Sequence, residues 1–257
     1  LGHDAPMLAA LLGVLRAGCA YVPLDRHGPM LRNRTIATDA ELGLLLTDPR
    51  FVSEAQSVAA GLCPLLVVAA GQDDAVAADS VVEMRCAAAD DLAYILFTSG
   101  STGTPKGVMQ TQRNLLHHVH TYSQALRISP QDCLTLLPSY GFDAAVMDIY
   151  GALLNGASLR VIDVLAAAGP EELLATISTE RLTVLHTTPT VLRYLLRRIE
   201  DHPQDLSGIR AVVLGGEEAT VHDFNLFRAC FAEHALLVNG LGPSESTTAL
   251  QFFADQQ

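Results

Sequence analysis

Short apolar runs alternate with amphipathic stretches over most of the chain, and the two kinds of segment predict different elements. The apolar runs are short and rich in Val, Leu and Ile, which favours buried strands. The predicted strands are residues 43–47, 65–68, 92–98, 133–137, 158–162, 183–186, 211–214 and 235–239. The predicted helices lie between them, at residues 7–17, 31–38, 111–125, 142–154, 170–179, 189–200 and 221–231. Such alternation predicts parallel sheets that are covered by helices on both faces.

Composition limits the classes of protein to which the chain can belong. The chain has 257 residues, of which 49% are hydrophobic and 17% charged, and this is an ordinary globular balance. No apolar run reaches the roughly 18 residues that a membrane helix needs, and the start shows no signal-peptide pattern. Residues 71–89 are rich in Ala and Asp without a clear period, so we expect a connection between two α/β halves and a subdomain boundary within residues 71–91.

Charge and cysteine usage exclude some functions. The net charge of −12 argues against a nucleic-acid surface and means that an anionic ligand would need a locally positive site. Five cysteines without a C-x-x-C pair favour reduced thiols in a cytoplasmic protein. The cluster of His117, His118 and His120 has no carboxylate or cysteine at a suitable spacing, so a solvated helix face is favoured over a metal site.

The strongest chemical signal is the segment of residues 92–108, LAYILFTSGSTGTPKGV. A buried strand runs into a loop that combines glycines, hydroxyls and one lysine, on what we expect to be a strand-to-helix connection. Glycines allow close backbone approach, and consecutive N–H groups can form a nest for an anion. The loop is not a Walker A motif, because Pro105 precedes Lys106 and Gly107 follows it. We therefore predict a phosphate-binding loop.

This segment resembles the phosphate-binding core motif of the adenylate-forming superfamily, LAYxxYTSGSTGxPKG, with Phe97 at a Tyr position. Four further segments resemble motifs of the same superfamily in the same order. They are LRAGCAYVPLD at residues 15–25, FDAAVM at 142–147, LGGE at 214–217 and NGLGPSE at 239–245. The AYVPLD and FDAAVM segments are most similar to those of the amino-acid-activating adenylation domains of nonribosomal peptide synthetases.

The resemblance implies a fold and a reaction. The expected fold is α/β, the large N-terminal subdomain of an adenylate-forming enzyme, with two packed, mostly parallel sheets flanked by helices. The chain would be the N-terminal core of an adenylation domain truncated at both ends, without the C-terminal subdomain and its catalytic lysine. The implied reaction joins an amino acid to ATP to give aminoacyl-adenylate and pyrophosphate. The aminoacyl group would then pass to the phosphopantetheine thiol of a carrier-protein domain in the parent chain.

The resemblance also assigns roles around ATP. The loop residues expected at the phosphates are Thr98, Ser99, Gly100, Ser101, Thr102, Gly103, Thr104 and Lys106, with Lys106 catalytic. Glu245 would be catalytic by holding Mg²⁺, a cation that prefers oxygen ligands. Further nucleotide-binding residues are expected in the LGGE and NGLGPSE segments. They are Gly215, Gly216, Glu217, Asn239, Leu241, Gly242 and Ser244. Leu241 stands where the family has an aromatic residue, and losing that ring could cost about 1 kcal/mol of ATP affinity.

A second set of residues would surround the amino acid. By motif it comprises Phe142, Asp143, Ala144, Met147, His186, Val213, Gly215, Gly240, Thr248 and Ala249. In the resemblance Asp143 pairs with the α-ammonium, and a partly buried Asp does need a cation or several donors to stay ionised. Because the set has no other charged residue, a neutral, medium-sized amino acid is expected. Outside the family context, Asp143 would be interpreted as a helix cap or surface residue and His186 as a hydrogen-bonded core histidine.

Two alternatives stay open from the sequence. An acyl- or aryl-CoA ligase would share the phosphate loop but has no α-ammonium to bind, so Asp143 discriminates against it. A non-catalytic domain with the same fold would explain Leu241, but it would not require Lys106 and Glu245.

Overall fold

The structure is a computed structural model that describes residues 1–68, 86–99, 105–197, 199, 201 and 203–256. The chain divides into two compact units, Leu1–Leu115 and Leu116–Gln257. The boundary expected within residues 71–91 falls mostly outside the described residues and stays a prediction.

The described part of the chain contains no helix with both the length and the apolar character that a membrane crossing requires.

The first unit contains short helices and two pairs of strands. Its elements are α1 (Ala5–Arg16), α2 (Met30–Asp39), β1 (Leu45–Thr47), a 3-10 turn (Pro49–Phe51), α3 (Val52–Ala59), β2 (Leu65–Val67), β3 (Leu92–Ser99) and β4 (Pro105–Thr111). Strands β1 and β2 are parallel, whereas β3 and β4 are antiparallel. Helix α3 was not predicted, because only Val58 and Ala59 of its eight residues are buried and the amphipathic signal is correspondingly weak.

The phosphate-loop motif corrects one prediction. We expected its loop on a strand-to-helix connection, but the motif's second part forms β4, which pairs with β3 so that Lys106 lies opposite Thr98. Helix α4 (Gln112–Leu126) begins only after β4. The sequence PKGVMQT opens with Pro and contains Gly, both of which are unfavourable in strands, and this explains why the strand was missed.

The second unit is built around one six-stranded sheet. Its strands are β5 (Cys133–Leu136), β6 (Ser158–Val161), β7 (Val184–Thr187), β8 (Ala211–Leu214), β9 (Leu236–Leu241) and β10 (Leu250–Ala254). The order is β10-β9-β8-β7-β5-β6, and only β10 is antiparallel to its neighbour. The helices are α5 (Asp143–Leu153), α6 (Pro170–Thr179), α7 (Pro189–Leu196) and α8 (Val221–Cys230). Strand β10 was not predicted, because its side chains do not alternate between buried and exposed, and Phe252 is 69% exposed.

The sheet of the second unit has an apolar core on each face. Along β8, Val212 and Leu214 belong to one core, whereas Ala211 and Val213 belong to the other, as the two-residue period of a strand requires. The first core contains residues of α6, α7 and α8, and the second contains residues of α4 and α5. The α/β class is thus confirmed. The mostly parallel arrangement belongs to this sheet, since the named strands among the described residues of the first unit form one parallel pair, β1 with β2, and one antiparallel pair, β3 with β4.

Candidate functional site

The predicted substrate residues of the second unit gather at the carboxyl ends of its parallel strands. His186 lies near the end of β7, Gly215 directly follows β8, and Gly240 lies near the end of β9. Asp143 begins α5, which follows β5. Ligands of open α/β sheets bind outside the carboxyl ends of the strands, so the fold brings these residues to the edge where a ligand is expected.

Asp143 is positioned by the start of α5. Phe142 is the N-cap residue, with an extended backbone and no capping side chain, so the interpretation of Asp143 as a helix cap is wrong. Its Oδ1 accepts from the backbone N–H of Ala144 at 2.9 Å, and its carboxyl is also hydrogen-bonded to the Ser244 side chain. Burial raises the pKa of Asp143, and these hydrogen bonds offset the rise only in part. Asp143 is therefore a carboxylate that a nearby cation would stabilise.

The contact between Asp143 and Ser244 joins two motifs that are about a hundred residues apart in the sequence. Ser244 belongs to the turn between β9 and β10, in which the N–H groups of Ser246 and Thr247 both donate to the Pro243 carbonyl at 2.9 Å. Gly242 is required there, since a Cβ at this position would lie 2.8 Å from the Thr248 Cα. The turn thus brings the NGLGPSE segment against the FDAAVM segment.

His186 belongs to a buried hydrogen-bonded network. Its Nδ1 lies 2.9 Å from Oδ1 of Asp148, and the Tyr122 hydroxyl donates to the same oxygen at 3.1 Å. Asp148 is fully buried and its Oδ2 has no hydrogen-bond partner among the described residues. Burial disfavours the imidazolium, but the charge and hydrogen bond of Asp148 outweigh it, so the pKa of His186 is raised. The interpretation of His186 as a hydrogen-bonded core histidine therefore agrees with its burial and its bond to Asp148.

The other predicted substrate residues differ in their exposure. Met147 and Val213 are buried and belong to the same core cluster, and the Thr248 hydroxyl lies 3.1 Å from the Met147 sulfur. Ala144 is half-buried, whereas Phe142 and Ala249 are exposed. Met147 and Val213 thus form an apolar wall close to His186, and Phe142 and Ala249 lie at the surface.

Glycines lie at the ends of β8 and β9. A Cβ added to Gly215 would lie 3.8 Å from both the Nε2 of His186 and the Gly240 carbonyl oxygen. Gly216 has a φ of 78°, which favours glycine. Gly215, the Gly240 carbonyl and the His186 Nε2 therefore lie close together.

The predicted nucleotide residues of the second unit lie along the same edge. Glu217 is engaged with α7, because its Oε2 accepts from the N–H of Thr190 at 3.1 Å and from its hydroxyl, and these bonds lower the pKa of Glu217. Asn239 is half-buried within β9, and Leu241 is 66% exposed. The chain thus presents an aliphatic surface where the resemblance expects an aromatic one.

Glu245, the expected Mg²⁺ ligand, is exposed. Within the described residues, no group of three or more His, Cys, Asp or Glu side chains is arranged to hold a metal ion. Mg²⁺ commonly binds through one or two carboxylates together with the phosphates of its substrate. A single exposed carboxylate fits that mode of binding.

The first unit carries the described part of the phosphate loop. Thr98 and Lys106 face each other across β3 and β4, and Lys106 is exposed. Ser99 ends β3. The loop residues between the two strands, Gly100, Ser101, Thr102, Gly103 and Thr104, lie outside the described residues.

Sequence reasoning missed Asp148 and Tyr122. An acidic residue within the apolar helix FDAAVMDIYGALL is a signal that could have pointed to Asp148, since a buried acid needs partners. Tyr122 gives no comparable signal, because a tyrosine in an amphipathic helix is an ordinary core residue.

Comparison with known proteins agrees with the motifs. Residues 3–257 match the family of AMP-binding enzymes. The chain is 32% identical to malpibaldin synthetase of Mortierella alpina over 251 residues, and the match covers 96% of this chain and 4% of that protein. It is 31% identical to syringomycin synthase SyrB1 of Pseudomonas syringae over 256 residues, and the match covers 98% of this chain and 40% of that protein. These similarities confirm the resemblance inferred from the ordered motifs.

Solved structures agree as well. The nonribosomal peptide synthetase FmoA3 in its AMPPNP-bound form is 28% identical with a TM-score of 0.83, and the match covers 96% of this chain and 26% of that one. Its form bound to α-methyl-L-serine-AMP is 28% identical with a TM-score of 0.82, covering 97% and 27%. The chain therefore spans about a quarter of that structure. It spans 4% of malpibaldin synthetase and 40% of syringomycin synthase SyrB1.

Proposed function

Since the chain belongs to the family of AMP-binding enzymes, we propose that it activates an amino acid with ATP, forming an aminoacyl-adenylate and pyrophosphate. The observation that carries this proposal is Asp143, a largely buried carboxylate at the carboxyl edge of the sheet whose pKa is raised by burial. An α-ammonium group would supply the missing positive charge at this point. An acid without an amino group would leave Asp143 without that partner.

Binding of ATP is supported by the AMPPNP-bound form of FmoA3. In this chain we assign Thr98, Lys106 and the loop residues between them to the phosphates. Glu245 would hold Mg²⁺ together with phosphate oxygens, and the ion would stabilise the charge that develops on the reacting phosphate and the leaving pyrophosphate. Gly215, Gly216 and Asn239 would border the adenine.

The similarity to a nonribosomal peptide synthetase of known structure supports a further transfer step. We propose that the aminoacyl group passes from the adenylate to the phosphopantetheine thiol of a carrier-protein domain, so that the whole protein serves nonribosomal peptide synthesis. The form of FmoA3 bound to α-methyl-L-serine-AMP supports an amino acid as the acid that is activated.

The residues around Asp143 favour a neutral, medium-sized amino acid. Met147 and Val213 are buried and apolar, and the glycines at 215 and 240 add no side-chain bulk. Asp148 is already paired with His186, so a charged substrate side chain would be buried without a partner of its own.

Amino-acid-dependent ATP–pyrophosphate exchange tests the proposal, with the whole protein that contains this chain and with all common amino acids and several simple acids. We expect exchange with one or a few amino acids. Asp143→Ala should lower kcat/KM at least a hundredfold, because the ammonium group loses its charged partner in the transition state as well as in the ground state. Asp205→Ala, at an exposed position of the same unit, is the matched control and should leave exchange unchanged.

Other outcomes lead to the other classes of protein. Exchange only with acids that lack an amino group would assign the chain to acyl- or aryl-CoA ligases. A folded protein without exchange for any acid would favour a non-catalytic domain, with Leu241 the first position to examine.

A further inference from the structure

We propose that Phe252 provides the aromatic surface against which the adenine of ATP lies, in place of the aromatic residue that is missing at Leu241. The inference rests on the proposed function, because it takes ATP as the ligand, and it adds a nucleotide-binding residue to that function. Phe252 belongs to β10, the edge strand of the six-stranded sheet. No residue of β10 belongs to the motifs that assign the nucleotide site.

Strand pairing brings Phe252 to the residues proposed to border the adenine. Phe252 is the register partner of Asn239 on β9, and Asn239 is in turn the partner of Leu214 on β8. Side chains at paired positions of neighbouring strands lie on the same face, and in an antiparallel pair their Cβ atoms are about 5 Å apart. Leu214 directly precedes Gly215 and Gly216 of the LGGE segment. Asn239 therefore lies between the strand that leads into this segment and Phe252.

Leu241 lies on the same face of the sheet as Phe252. On β9, Leu237 belongs to the core that contains residues of α6, α7 and α8, and the two-residue period of a strand puts Leu241 on that face. On β10, Ala254 packs against the same core, which puts Phe252 on that face as well. The register makes Leu241 and Phe252 diagonal neighbours, about 7–8 Å apart and within reach of an aromatic side chain. A ring at either position therefore reaches the same part of the sheet.

Beyond Asn239 this face of the chain is apolar and exposed. In the row across the three strands, Leu214 is buried, Asn239 is half-buried and Phe252 is 69% exposed. Leu241 and its register partner Leu250 are each 66% exposed. Large apolar side chains that are exposed side by side mark a surface that binds a ligand or a partner.

The chemistry of this surface is complementary to a purine. A nucleobase has apolar π faces and a polar edge, and proteins bind bases by stacking aromatic side chains on the faces. Phe252 supplies an aromatic face, and the Asn239 carboxamide, which has both donor and acceptor groups, supplies a partner for the edge. No side chain of the row is charged, which agrees with a neutral base.

Phe253 is a matched control, because it follows Phe252 in the same strand and lies on the opposite face. Its register partner is Val238, which belongs to the core that contains residues of α4 and α5. Phe253 is also exposed, at 42%. A general weakening of β10 would follow from a substitution of either phenylalanine, whereas the loss of a contact with adenine would follow only from a substitution of Phe252.

The experiment measures KM for ATP in ATP–pyrophosphate exchange by the whole protein, at a saturating concentration of its best amino acid. Phe252→Leu keeps the apolar bulk but removes the aromatic face, so we expect it to raise KM for ATP about fivefold or more. The KM for the amino acid and kcat should change less than about twofold. Phe252→Tyr, which keeps the ring, and Phe253→Leu should leave KM for ATP within about twofold of the wild-type value.

Two further measurements separate contact with the base from a structural effect. In Phe252→Leu, inhibition of exchange by adenosine should weaken about as much as KM for ATP rises, whereas inhibition by inorganic tripolyphosphate, which has no base, should stay the same. Adding Leu241→Tyr to Phe252→Leu should restore KM for ATP to within about twofold of the wild-type value, because a ring returns to the same face.

Three results would overturn the inference. They are an unchanged KM for ATP in Phe252→Leu, an equal rise in Phe253→Leu, and an equal weakening of inhibition by adenosine and by tripolyphosphate. Exchange with an amino acid would in each case leave the proposed function standing, and the exposed face would then be assigned to a contact with protein. The absence of exchange with any acid would overturn both.

Discussion

Two buried aspartates of the second unit, Asp132 and Asp148, have opposite surroundings. Asp132 directly precedes β5, at the amino ends of the parallel strands, and accepts hydrogen bonds at both carboxyl oxygens. Its donors are the Ser129 N–H and hydroxyl, the Thr183 hydroxyl, and the Arg210 guanidinium through Nε at 2.8 Å and a terminal nitrogen at 2.9 Å. Asp148 receives both of its hydrogen bonds on one oxygen and has none on the other from the described residues.

The difference is reflected in the acidity of the two groups. For Asp132, burial acts to raise the pKa, but the hydrogen bonds and charge of its partners outweigh it and hold the pKa at about 2. For Asp148, burial raises the pKa and His186 offsets the rise only in part. The carboxylate of Asp132 is fully hydrogen-bonded, whereas that of Asp148 is hydrogen-bonded at one oxygen only among the described residues. The comparison therefore separates the end of the sheet that Asp132 stabilises from the end at which we propose the substrate site.

The largest expected effect on stability comes from removing the fully hydrogen-bonded carboxylate of Asp132. Asp132→Ala should lower the free energy of unfolding by about 3 kcal/mol, because Arg210 and Thr183 lose their partner in a largely buried position. Arg210 would keep its bond to the Leu126 carbonyl, which limits the loss. Urea unfolding of the chain at neutral pH measures the effect.

The substrate preference of Asp132→Ala should not follow its loss of stability. The ratio of kcat/KM values between the activated amino acid and the same acid without its amino group should stay the same in Asp132→Ala, because the carboxylate lies at the opposite end of the strands from Asp143. A changed ratio with little loss of stability would contradict this division of the sheet.

Acid should remove the stabilisation by Asp132 in a defined pH range. Its pKa is lowered to about 2 in the folded chain from an ordinary value of 3.8. The stabilisation is thus fully present above about pH 4, and it is lost as the pH falls towards 2, where the folded chain also takes up the proton. The shift corresponds to about 2 kcal/mol.

The measurement compares unfolding of the wild type and Asp132→Asn between about pH 7 and about pH 2.5. Because Asn does not titrate, we expect the stability difference between the two proteins to shrink by about 2 kcal/mol as the pH falls. A difference that is independent of pH would show that the carboxylate is not the stabilising group.

The smallest expected effect on stability comes from Asp148→Asn. This change replaces a buried carboxyl group that has incomplete hydrogen bonding, and the lower cost of burying the amide offsets much of the weakened bond to His186. We expect the free energy of unfolding to change by less than about 1 kcal/mol, as measured by urea unfolding. A loss as large as that of Asp132→Ala would mean that Asp148 is chiefly structural and would remove the basis of the comparison.

The edge of the sheet that carries the proposed site was predictable from the sequence only where motifs mark it. The FDAAVM, LGGE and NGLGPSE segments placed Asp143, Gly215, Gly240 and Ser244 in one region, and the structure brings them to one edge of the sheet. The hydrogen bond between Asp143 and Ser244 could not be predicted, because it depends on how a turn folds back against the start of a helix.

The remaining misses have physical reasons. Strand β4 begins with Pro105 and contains Gly107, so local propensity argued against it, and its pairing with β3 overrides that preference. Asp148 could not be assigned to His186 from spacing, since the two are 38 residues apart and meet only when α5 packs against the sheet. Asp132 and Arg210 are 78 residues apart, and the same reasoning applies to them.

The most direct test of the central claim compares an activated amino acid with the same acid without its amino group. ATP–pyrophosphate exchange would be measured for both acids in the whole protein and in its Asp143→Asn variant. The account predicts at least a hundredfold preference for the amino acid in the wild type, and a preference of less than about tenfold in the variant, because the charged partner of the ammonium is gone. Equal exchange with both acids in the wild type, or an unchanged preference in Asp143→Asn, would contradict it.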